Sequence, residues 1–378
     1  MIILLMLLSF PKITVDNTSY CGTYSSITYL NDIAISYYDI TNGNLKFAWR
    51  TGTTWNKYTV DSNGNVGLYT SISPAGDGDV YIAYYDATNT ALKVAKGFGT
   101  SFTTTTVDNN GNVGKYTSTV VWNDTVYVFY YDETNGDLKM AKKSGGGPWT
   151  INRIDSNNDV GMYTSAAVDG SGNIHISYYD ITNDDLRYGY YDGTWQLERV
   201  DDGGQYSSIS VANNGTIHIF YNSVLGKLKH AYGGSGSWNF ETVSDLSRSG
   251  NSISSTCDRM GLPIVSFVHL IGTATPYLDL ARYNGADWDL YYSIDSVAGA
   301  KFTSIVIGDG DIYVSYFKGN PQNELRVLYY PEGGIKNNDD NNTHFRKYPQ
   351  GKFDFLGRRI KKNERIYFEN GKKKIIIK

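Results

Sequence analysis

The sequence contains little of what supports a helical, disulfide-bonded or membrane-spanning protein. It has only 2 cysteines and 5 methionines among 378 residues, and 19% of the residues are charged. No heptad pattern of apolar residues is present, which excludes a long coiled coil. Cys21 and Cys257 fall at non-equivalent positions of an internal repeat, so we expect two separate thiols rather than a disulfide.

The sequence also lacks the basic surface that a nucleic-acid-binding protein needs. Residues 344–378 hold 12 Lys and Arg against 3 Asp and Glu, whereas the rest of the chain holds 22 against 35. Because phosphates require a basic footprint, the acidic body argues against a nucleic-acid partner. The basic segment is too short to change that interpretation.

The only strongly apolar run is "MIILLMLLSF", residues 1–10. About 20 apolar residues are needed to cross a bilayer as a helix, so this run predicts no transmembrane span. We interpret it as the remnant of a signal peptide, with a buried strand extension as the alternative. The first interpretation predicts export to the medium or the outer cell surface.

The sequence is instead rich in tyrosine and glycine, with 33 and 40 residues, and contains a strong internal repeat. The motif "YYD" recurs with its aspartate at Asp39, Asp86, Asp132 and Asp180, and weaker copies continue the series at Ser223, His269 and Lys318. These positions are 43 to 49 residues apart. Seven units are therefore present.

Each unit contains four short apolar segments separated by turn residues. In the second unit they are "LYTSIS", "VYIAYY", "LKVAK" and "FTTTTV". Short segments rich in Val, Ile, Thr and Tyr between Gly, Asn and Asp are strands joined by tight turns. Four-stranded units of this length predict an all-β fold, a seven-bladed β-propeller.

The two ends of the repeat region predict how the ring closes. The last unit ends after its third strand, "LRVLYY", whereas "KITVD" at residues 12–16 matches the fourth-strand pattern "KYTVD" at residues 57–61. We expect the N-terminal strand to complete the seventh blade, which removes the open edges. The predicted domains are the propeller at residues 12–331, a polar linker at 332–343 and a small β-hairpin tail at 344–378.

Two repeated motifs are predicted to share one face of the disc. Alternating strand directions place the "DxTNG" turns, which join the second and third strands, beside the loops that lead into the next blade. An aspartate can cap its own turn, and Asn-Gly suits a short hairpin. The alternative is a ligand surface that uses the turn carboxylates of Asp39, Asp86, Asp132 and Asp180.

The loops between blades contain "DSNGN" and "DNNGN", which offer several oxygen atoms within five residues. They resemble a fragment of a calcium loop but lack the distal glutamate of an EF-hand. Structural turns and Ca²⁺ sites are both open interpretations. The candidate calcium ligands are Asp61, Asn63, Asp108 and Asn110.

Five tyrosines begin the first strand of their units at equivalent positions, so we expect them to form a ring near the mouth of the central channel. Aromatic rings with hydroxyl tips can hold a sugar, and they can equally pack blades together. The five residues are Tyr24, Tyr69, Tyr116, Tyr163 and Tyr206. His175 and His218 occupy a second-strand position that holds tyrosine elsewhere, so we expect packing roles for both.

The repeat resembles that of sialidase-like (BNR-type) propellers and, more closely, of bacterial and archaeal surface proteins with "VGxYTSxxxDxxGNxHISYYDxTNGDLxYA" units. The best copy is "VGMYTSAAVDGSGNIHISYYDITNDDLRYG", residues 160–189. The resemblance implies a propeller fold over residues 12–331. The sialidase Asp-box is absent, and the propeller arginines do not recur at equivalent positions.

We therefore expect a non-catalytic, monomeric propeller that binds glycans or other cell-surface partners, or that acts as a display scaffold. The alternative is a sialidase-like glycoside hydrolase with one site in the degenerate blades 5–7. Such an enzyme would build a single pocket where the repeat breaks. Its candidate residues are Arg248, His269, Tyr277, Arg282 and Trp288.

The tail resembles a shortened C-terminal sorting domain of the type IX secretion (Por) class. "FDFLGRR" matches the family's "YDxxGR" turn, "IYF" matches its "GxY" strand, and "KKKIIIK" matches its final strand. The segment between Arg359 and Ile366 is short, and Glu364 and Arg365 stand where a glycine is usual. The resemblance implies a secretion machinery as partner; a solvated β-hairpin is the alternative.

Overall fold

The computed structural model describes residues 10–246, 249–271, 275–295, 299–319, 321–331, 364–369 and 372–377. All regular structure within these ranges is β-strand, arranged in seven four-stranded antiparallel sheets and one two-stranded sheet. This part of the chain contains no helix that is long and apolar enough to cross a membrane. The chain divides into two units, residues 1–336 and 337–378.

Each of the seven sheets is one blade, and its strands follow the chain from the centre of the ring outward. Blades 1–4 contain β2 (Cys21–Leu30), β3 (Asp32–Asp39), β4 (Asn44–Thr51), β5 (Thr54–Asp61); β6 (Val66–Pro74), β7 (Val80–Asp86), β8 (Ala91–Phe98), β9 (Ser101–Asp108); β10 (Val113–Trp122), β11 (Thr125–Asp132), β12 (Asp137–Ser144), β13 (Thr150–Asp155); β14 (Val160–Val168), β15 (Ile174–Asp180), β16 (Asp185–Tyr191), β17 (Trp195–Asp202). Blades 5–7 contain β18 (Gln205–Val211), β19 (Ile217–Asn222), β20 (Leu228–Gly234), β21 (Ser237–Ser244); β22 (Ser249–Cys257), β23 (Pro263–Ile271), β24 (Thr275–Tyr283), β25 (Trp288–Tyr291); β26 (Ala300–Gly308), β27 (Asp311–Lys318), β28 (Glu324–Tyr330) and β1 (Lys12–Asp16).

The ring closes by strand exchange, as predicted. β1 pairs antiparallel with β28, with Ile13 opposite Val327, and so supplies the outer strand of blade 7. The innermost strand of each blade contacts that of the next, and β26 contacts β2. Phe10 is buried and its ring lies 5.4 Å from that of Tyr330, so the propeller includes this residue.

The core is divided among the blade junctions. Seven hydrophobic clusters are formed by the described residues, and each combines side chains from two neighbouring blades. The cluster between blades 1 and 2, for example, joins Phe47 to Ile82 and Tyr84. The second strands are apolar on both faces because each sheet is packed between two others.

Serine hydroxyls join the innermost strands across the junctions. The Oγ of Ser26 accepts a hydrogen bond from the backbone N–H of Ile72 at 3.2 Å, and Ser304 Oγ accepts one from Ile27 N at 3.2 Å across the closing junction. The third position of the motif that starts each unit, "YTS" in units 2–4 and a variant elsewhere, is serine in all seven units and supplies a polar link next to each apolar cluster.

The second unit contains a β-hairpin made of β29 (Glu364–Glu369) and β30 (Lys372–Ile377). The strands pair antiparallel, with Ile366 opposite Ile375. This confirms the predicted hairpin in the tail. The predicted linker at residues 332–343 and residues 1–9 lie outside the described residues.

Candidate functional site

The two repeated motifs lie together on one face, as predicted. The backbone N–H of Asn65, at the end of the "DSNGN" loop, donates to Thr88 Oγ1 of the next blade's turn at 2.7 Å. Asn112 N donates to Thr134 Oγ1 at the same distance in the following junction. We call this surface the turn face.

The turn aspartates are buried and bonded within their own turns. Asp86 is 2% exposed; its Oδ1 accepts hydrogen bonds from Thr88 N and Asn89 N, both at 3.0 Å, and its Oδ2 accepts one from Asn89 Nδ2 at 2.9 Å. Asp39 and Asp132 have the same three partners, and Asp180 accepts the two bonds from Asn183. The structure therefore shows the capping role. The threonine and the asparagine of each turn are exposed, and the asparagine amide nitrogen also bonds the turn aspartate; the asparagines are Asn42, Asn89, Asn135 and Asn183.

The two aspartates among the candidate calcium ligands, Asp61 and Asp108, each bind a lysine. Asp61 Oδ2 accepts a hydrogen bond from Lys93 Nζ at 2.5 Å and one from Tyr84 Oη at 2.7 Å. Burial acts to raise the pKa of Asp61, but these bonds and the one from Asn63 N outweigh it and lower the pKa. Within the described part of the chain, no group of three or more His, Cys, Asp or Glu could hold a metal ion.

The same contact occurs at Asp108, whose Oδ2 accepts bonds from Lys139 Nζ and Tyr130 Oη, while Asn110 donates its backbone N–H to Oδ1. In both cases the aspartate ends one blade, and the tyrosine and lysine belong to the next. We call this three-residue contact the junction staple.

Six of the seven junctions contain a junction staple of aspartate, tyrosine and lysine or arginine. The six are Asp16, Tyr37 and Lys46; Asp61, Tyr84 and Lys93; Asp108, Tyr130 and Lys139; Asp155, Tyr178 and Arg187; Asp201, Tyr221 and Lys229; and Asp295, Tyr316 and Arg326.

The junction between blades 5 and 6 replaces the whole junction staple. Ser244, Phe267 and Asp279 stand at the aspartate, tyrosine and lysine positions, and His269 stands where units 1–4 have the turn aspartate. His269 Nδ1 lies 2.5 Å from Asp279 Oδ2, and Ser293 N donates to Asp279 Oδ1 at 2.7 Å. Burial raises the pKa of Asp279 to about 6, against the lowering effect of His269.

The five residues proposed for a pocket in the degenerate blades are not brought together. His269 stacks on Tyr277 with ring centroids 5.6 Å apart, but Arg282 lies at the other end of β24 and bonds Asp258 at 3.3 Å. Trp288 is buried against Phe220 of blade 5. Arg248 lies outside the described residues. Among the four residues that the structure places, His269 and Tyr277 lie together, whereas Arg282 and Trp288 do not join them, so the predicted cluster is not formed as a whole.

The predicted tyrosine ring is present at the start of the innermost strands. Neighbouring rings lie 4.3 to 4.9 Å apart from Tyr24 through Tyr206, and all five side chains are half-buried. Each tyrosine has a positive φ near 54°, at a point where the strand pairing shifts register. Such a backbone is uncommon for a bulky residue and turns the side chain out of the regular strand alternation.

The ring contains a sixth member that the sequence reasoning missed. Phe302 has a φ of 54°, and its ring lies 4.5 Å from that of Tyr24. The signal was available, since "KFTSIV" at residues 301–306 copies "KYTSTV" at residues 115–120. In blade 6 the equivalent residue is Ser252, whose Oγ accepts from Thr303 N. We call these six residues the aromatic ring.

The histidines pack between strands, as predicted for His175 and His218. His175 Nδ1 lies 2.7 Å from Tyr188 Oη, and His218 Nδ1 lies 2.9 Å from His230 Nε2. His230 in turn contacts Glu241 through Nδ1 at 2.8 Å. Cys21 and Cys257 are both free thiols.

No protein-family model and no curated protein sequence matches the chain. Solved structures share its fold. The BP39L lectin from Burkholderia pseudomallei has a TM-score of 0.62 at 14% identity, covering 87% of this chain and 97% of that chain. The SapL1 lectin in complex with alpha methyl fucoside has a TM-score of 0.52 at 14% identity, with 74% and 98% covered.

A third similar structure is the polysaccharide lyase Uly1, with a TM-score of 0.53 at 13% identity over 81% of this chain and 89% of that chain. At these identities the likeness shows the fold alone. Two lectins and a lyase on one architecture illustrate that a propeller does not determine its activity.

Proposed function

We propose that this chain is a non-catalytic propeller that is exported or held at the cell surface and binds glycans. The observation that carries the proposal is the aromatic ring. In six blades the same position holds a half-buried aromatic side chain. In each case its backbone has a positive φ, a conformation that bulky residues rarely adopt. Strained positions of this kind concentrate at functional sites.

The chemistry of the turn face suits a sugar. Aromatic faces pack against the apolar side of a pyranose, and tyrosine hydroxyls and amides bond its hydroxyls. The exposed asparagines of the four best-matched turns recur from blade to blade. Similar weak sites on one rigid ring would gain avidity for a polymer or a cell surface. The lectins among the similar structures are in line with this proposal.

The degenerate blades supply no comparable site among the residues that the structure describes. Asp279 is 0% exposed and is bonded by His269 and Ser293, so this carboxyl is shielded from a substrate. The cavity found there, lined by Asp258, Arg259 and Arg282 among others, has a volume of about 10 Å³, enough for one water molecule. This favours binding over the hydrolase alternative.

A glycan array probed with the full chain tests the proposal. The matched variants replace Tyr69 and Tyr116 by serine, the residue found at this position in blade 6, and the control Phe240→Ser changes an aromatic residue on outer strand β21 that is 46% exposed. We expect the two tyrosine changes to reduce array binding and the control to retain it. Equal binding by all variants, or no binding by any, would contradict the proposal, as would hydrolysis of a sialoside or other glycoside.

We further propose that the tail directs export through a type IX machinery. The support is the match of "FDFLGRR" and "KKKIIIK" to that class and the hairpin formed by β29 and β30. Expression in a type IX-competent host, with and without residues 344–378, tests this. Secretion that depends on the tail is expected; equal secretion of both forms would contradict it.

A further inference from the structure

An open groove lies between the outer strands of blades 3 and 4. Its volume is about 490 Å³, within the range of roughly 300–1,000 Å³ typical of small-ligand pockets. Blade 3 contributes alternate residues of β12 and β13, including Lys142, Thr150 and Asn152, and blade 4 contributes Tyr191 and Trp195. These residues flank the connections between third and fourth strands, so the groove opens on the face opposite the turn face.

The aromatic wall of the groove carries an indole that donates to no described residue. Trp195 packs edge-on against Phe129 with centroids 5.8 Å apart and lies 5.1 Å from the ring of Tyr191. Its equivalents in the next two blades are bonded: Trp238 Nε1 donates to Glu198 at 2.9 Å, and Trp288 Nε1 donates to Glu241 at 3.0 Å.

Two residues of blade 3 differ from their equivalents in blade 4 and leave the groove open. Asn152 stands where blade 4 has Glu198, since each pairs with the equivalent third-strand residue. That third-strand residue is Met140 in blade 3 and Tyr188 in blade 4, where the tyrosine ring packs 5.1 Å from Trp238. Asn152 and Met140 therefore leave open in blade 3 the space that Glu198 and Tyr188 fill in blade 4.

The charge of the groove is opposite to that of the propeller. No Asp or Glu lines it, although the chain outside the tail is acidic. Lys142 lines it beside the Tyr127 ring, with Nζ 5.2 Å from the ring centroid, and forms no ion pair with a described carboxylate. Arg153 also lines the groove and is paired with Asp137 at 2.8 Å, so Lys142 is the cation left for a ligand.

We propose that this groove binds an anionic saccharide, with a sugar ring on Trp195 and its carboxylate or sulfate beside Lys142. Thr150, Asn152 and the Trp195 indole N–H then bond ring hydroxyls. The inference rests on the proposed glycan-binding function and adds a second site, on the other face, with a defined ligand class. The ligand class also distinguishes the groove from the aromatic ring, which contains no charged side chain.

Calorimetric titration of the full chain with three tetrasaccharides tests the inference. Tetragalacturonate carries carboxylates, a κ-carrageenan tetrasaccharide carries sulfates, and cellotetraose is neutral. We expect at least one anionic probe to bind more tightly than cellotetraose. Which anionic probe binds distinguishes a uronate from a sulfated sugar as the ligand.

The variants separate the groove from general electrostatics. Lys142→Gln should weaken the anionic probe about tenfold, the value of one charge-assisted hydrogen bond. Lys143→Gln removes the same charge on the opposite side of the strand and should leave binding unchanged. Trp195→Leu should abolish binding, and its melting temperature is measured alongside because the change can also loosen the junction. Asn152→Glu introduces the residue that blade 4 has at this position and should weaken binding by filling the groove.

Equal affinities of Lys142→Gln and Lys143→Gln, or wild-type affinity in Asn152→Glu, would overturn the groove as the site. Preferential binding of cellotetraose would overturn the anionic ligand class. If the array shows glycan binding that depends on Tyr69 and Tyr116 while the groove variants bind as wild type, only the groove inference fails. If no glycan binds at all, both proposals fail.

Discussion

Asp108 and Tyr130 meet across the boundary between blades 2 and 3, with the tyrosine hydroxyl donating to the carboxylate at 2.7 Å. The Lys139 ammonium completes the contact at 2.5 Å. All three groups are nearly excluded from water. The repeat therefore encodes a charged contact between units as well as the strands within a unit.

Breaking this junction staple on one side should destabilise the ring. Asp108→Ala leaves the buried Tyr130 hydroxyl without its acceptor and leaves the Lys139 ammonium with only the Asp132 carboxylate, 3.5 Å away. We therefore expect a loss of about 3 kcal/mol in the free energy of unfolding. The double variant Asp108→Ser with Lys139→Met removes both charges and should lose much less. Urea denaturation of the three proteins measures this; an Asp108→Ala loss no larger than that of the double variant would show that the ion pair is unimportant.

The turn aspartates should be needed for stability rather than for ligand contact. Asp86→Ala removes three hydrogen bonds to a nearly buried carboxylate and should lower the free energy of unfolding by about 1–3 kcal/mol. Asp86→Asn keeps one acceptor and should lose less. Thermal melts and array binding are measured on the same samples. Unchanged stability with weakened binding would instead place the carboxylate on a ligand.

Much of the fold could be predicted because its determinants are local and repeated. Turn residues and alternating apolar segments mark each strand, and the match of residues 12–16 to a fourth strand predicts the closure. The junction staple could not be predicted in the same way. Asp61 and Lys93 belong to different units, so their repetition is visible in the sequence but their contact is not. The aspartate therefore looked available for calcium.

The candidate sites depended on information that a repeat pattern does not contain. The groove beside Trp195 exists because Met140 and Asn152 fill less space than their counterparts, which is a matter of side-chain volume. His269 and Arg282 are close in sequence, yet β23 and β24 place them at opposite ends of the hairpin, since His269 pairs with Tyr277 and Ile264 with Arg282.

The glycine of the repeated "VG" motif should be irreplaceable. Gly114 has a φ of 104°, and a Cβ there would lie 2.7 Å from the Cα of Leu92 in the preceding blade. Gly78 has a similar φ of 94° but open space around it. Gly78→Ala should therefore show only the backbone penalty of about 1–2 kcal/mol, and Gly114→Ala should lose clearly more because the blades must separate. Similar losses by urea denaturation in both variants would rule out the close approach as the reason.

Acid should destabilise the protein partly through His218. Burial, followed by the nearby His230, lowers the pKa of His218 to about 3, against about 6.5 in an unfolded chain. Above pH 6.5 neither state binds the proton and the full stability is present. As the pH falls from 6.5 towards 3, His218 binds a proton in the unfolded chain but not in the folded protein, so stability is lost.

His218→Tyr removes this proton uptake and introduces the residue that blades 2 and 3 have at this position, Tyr81 and Tyr127. Between pH 6.5 and 4.5 we expect the wild type to lose about 2 kcal/mol more than the variant, slightly below the limit for one full proton because unfolded histidine is already half-protonated at pH 6.5. Urea denaturation at both pH values measures the difference. Parallel losses in the two proteins would show that His218 takes up its proton in the folded state as readily as in the unfolded chain.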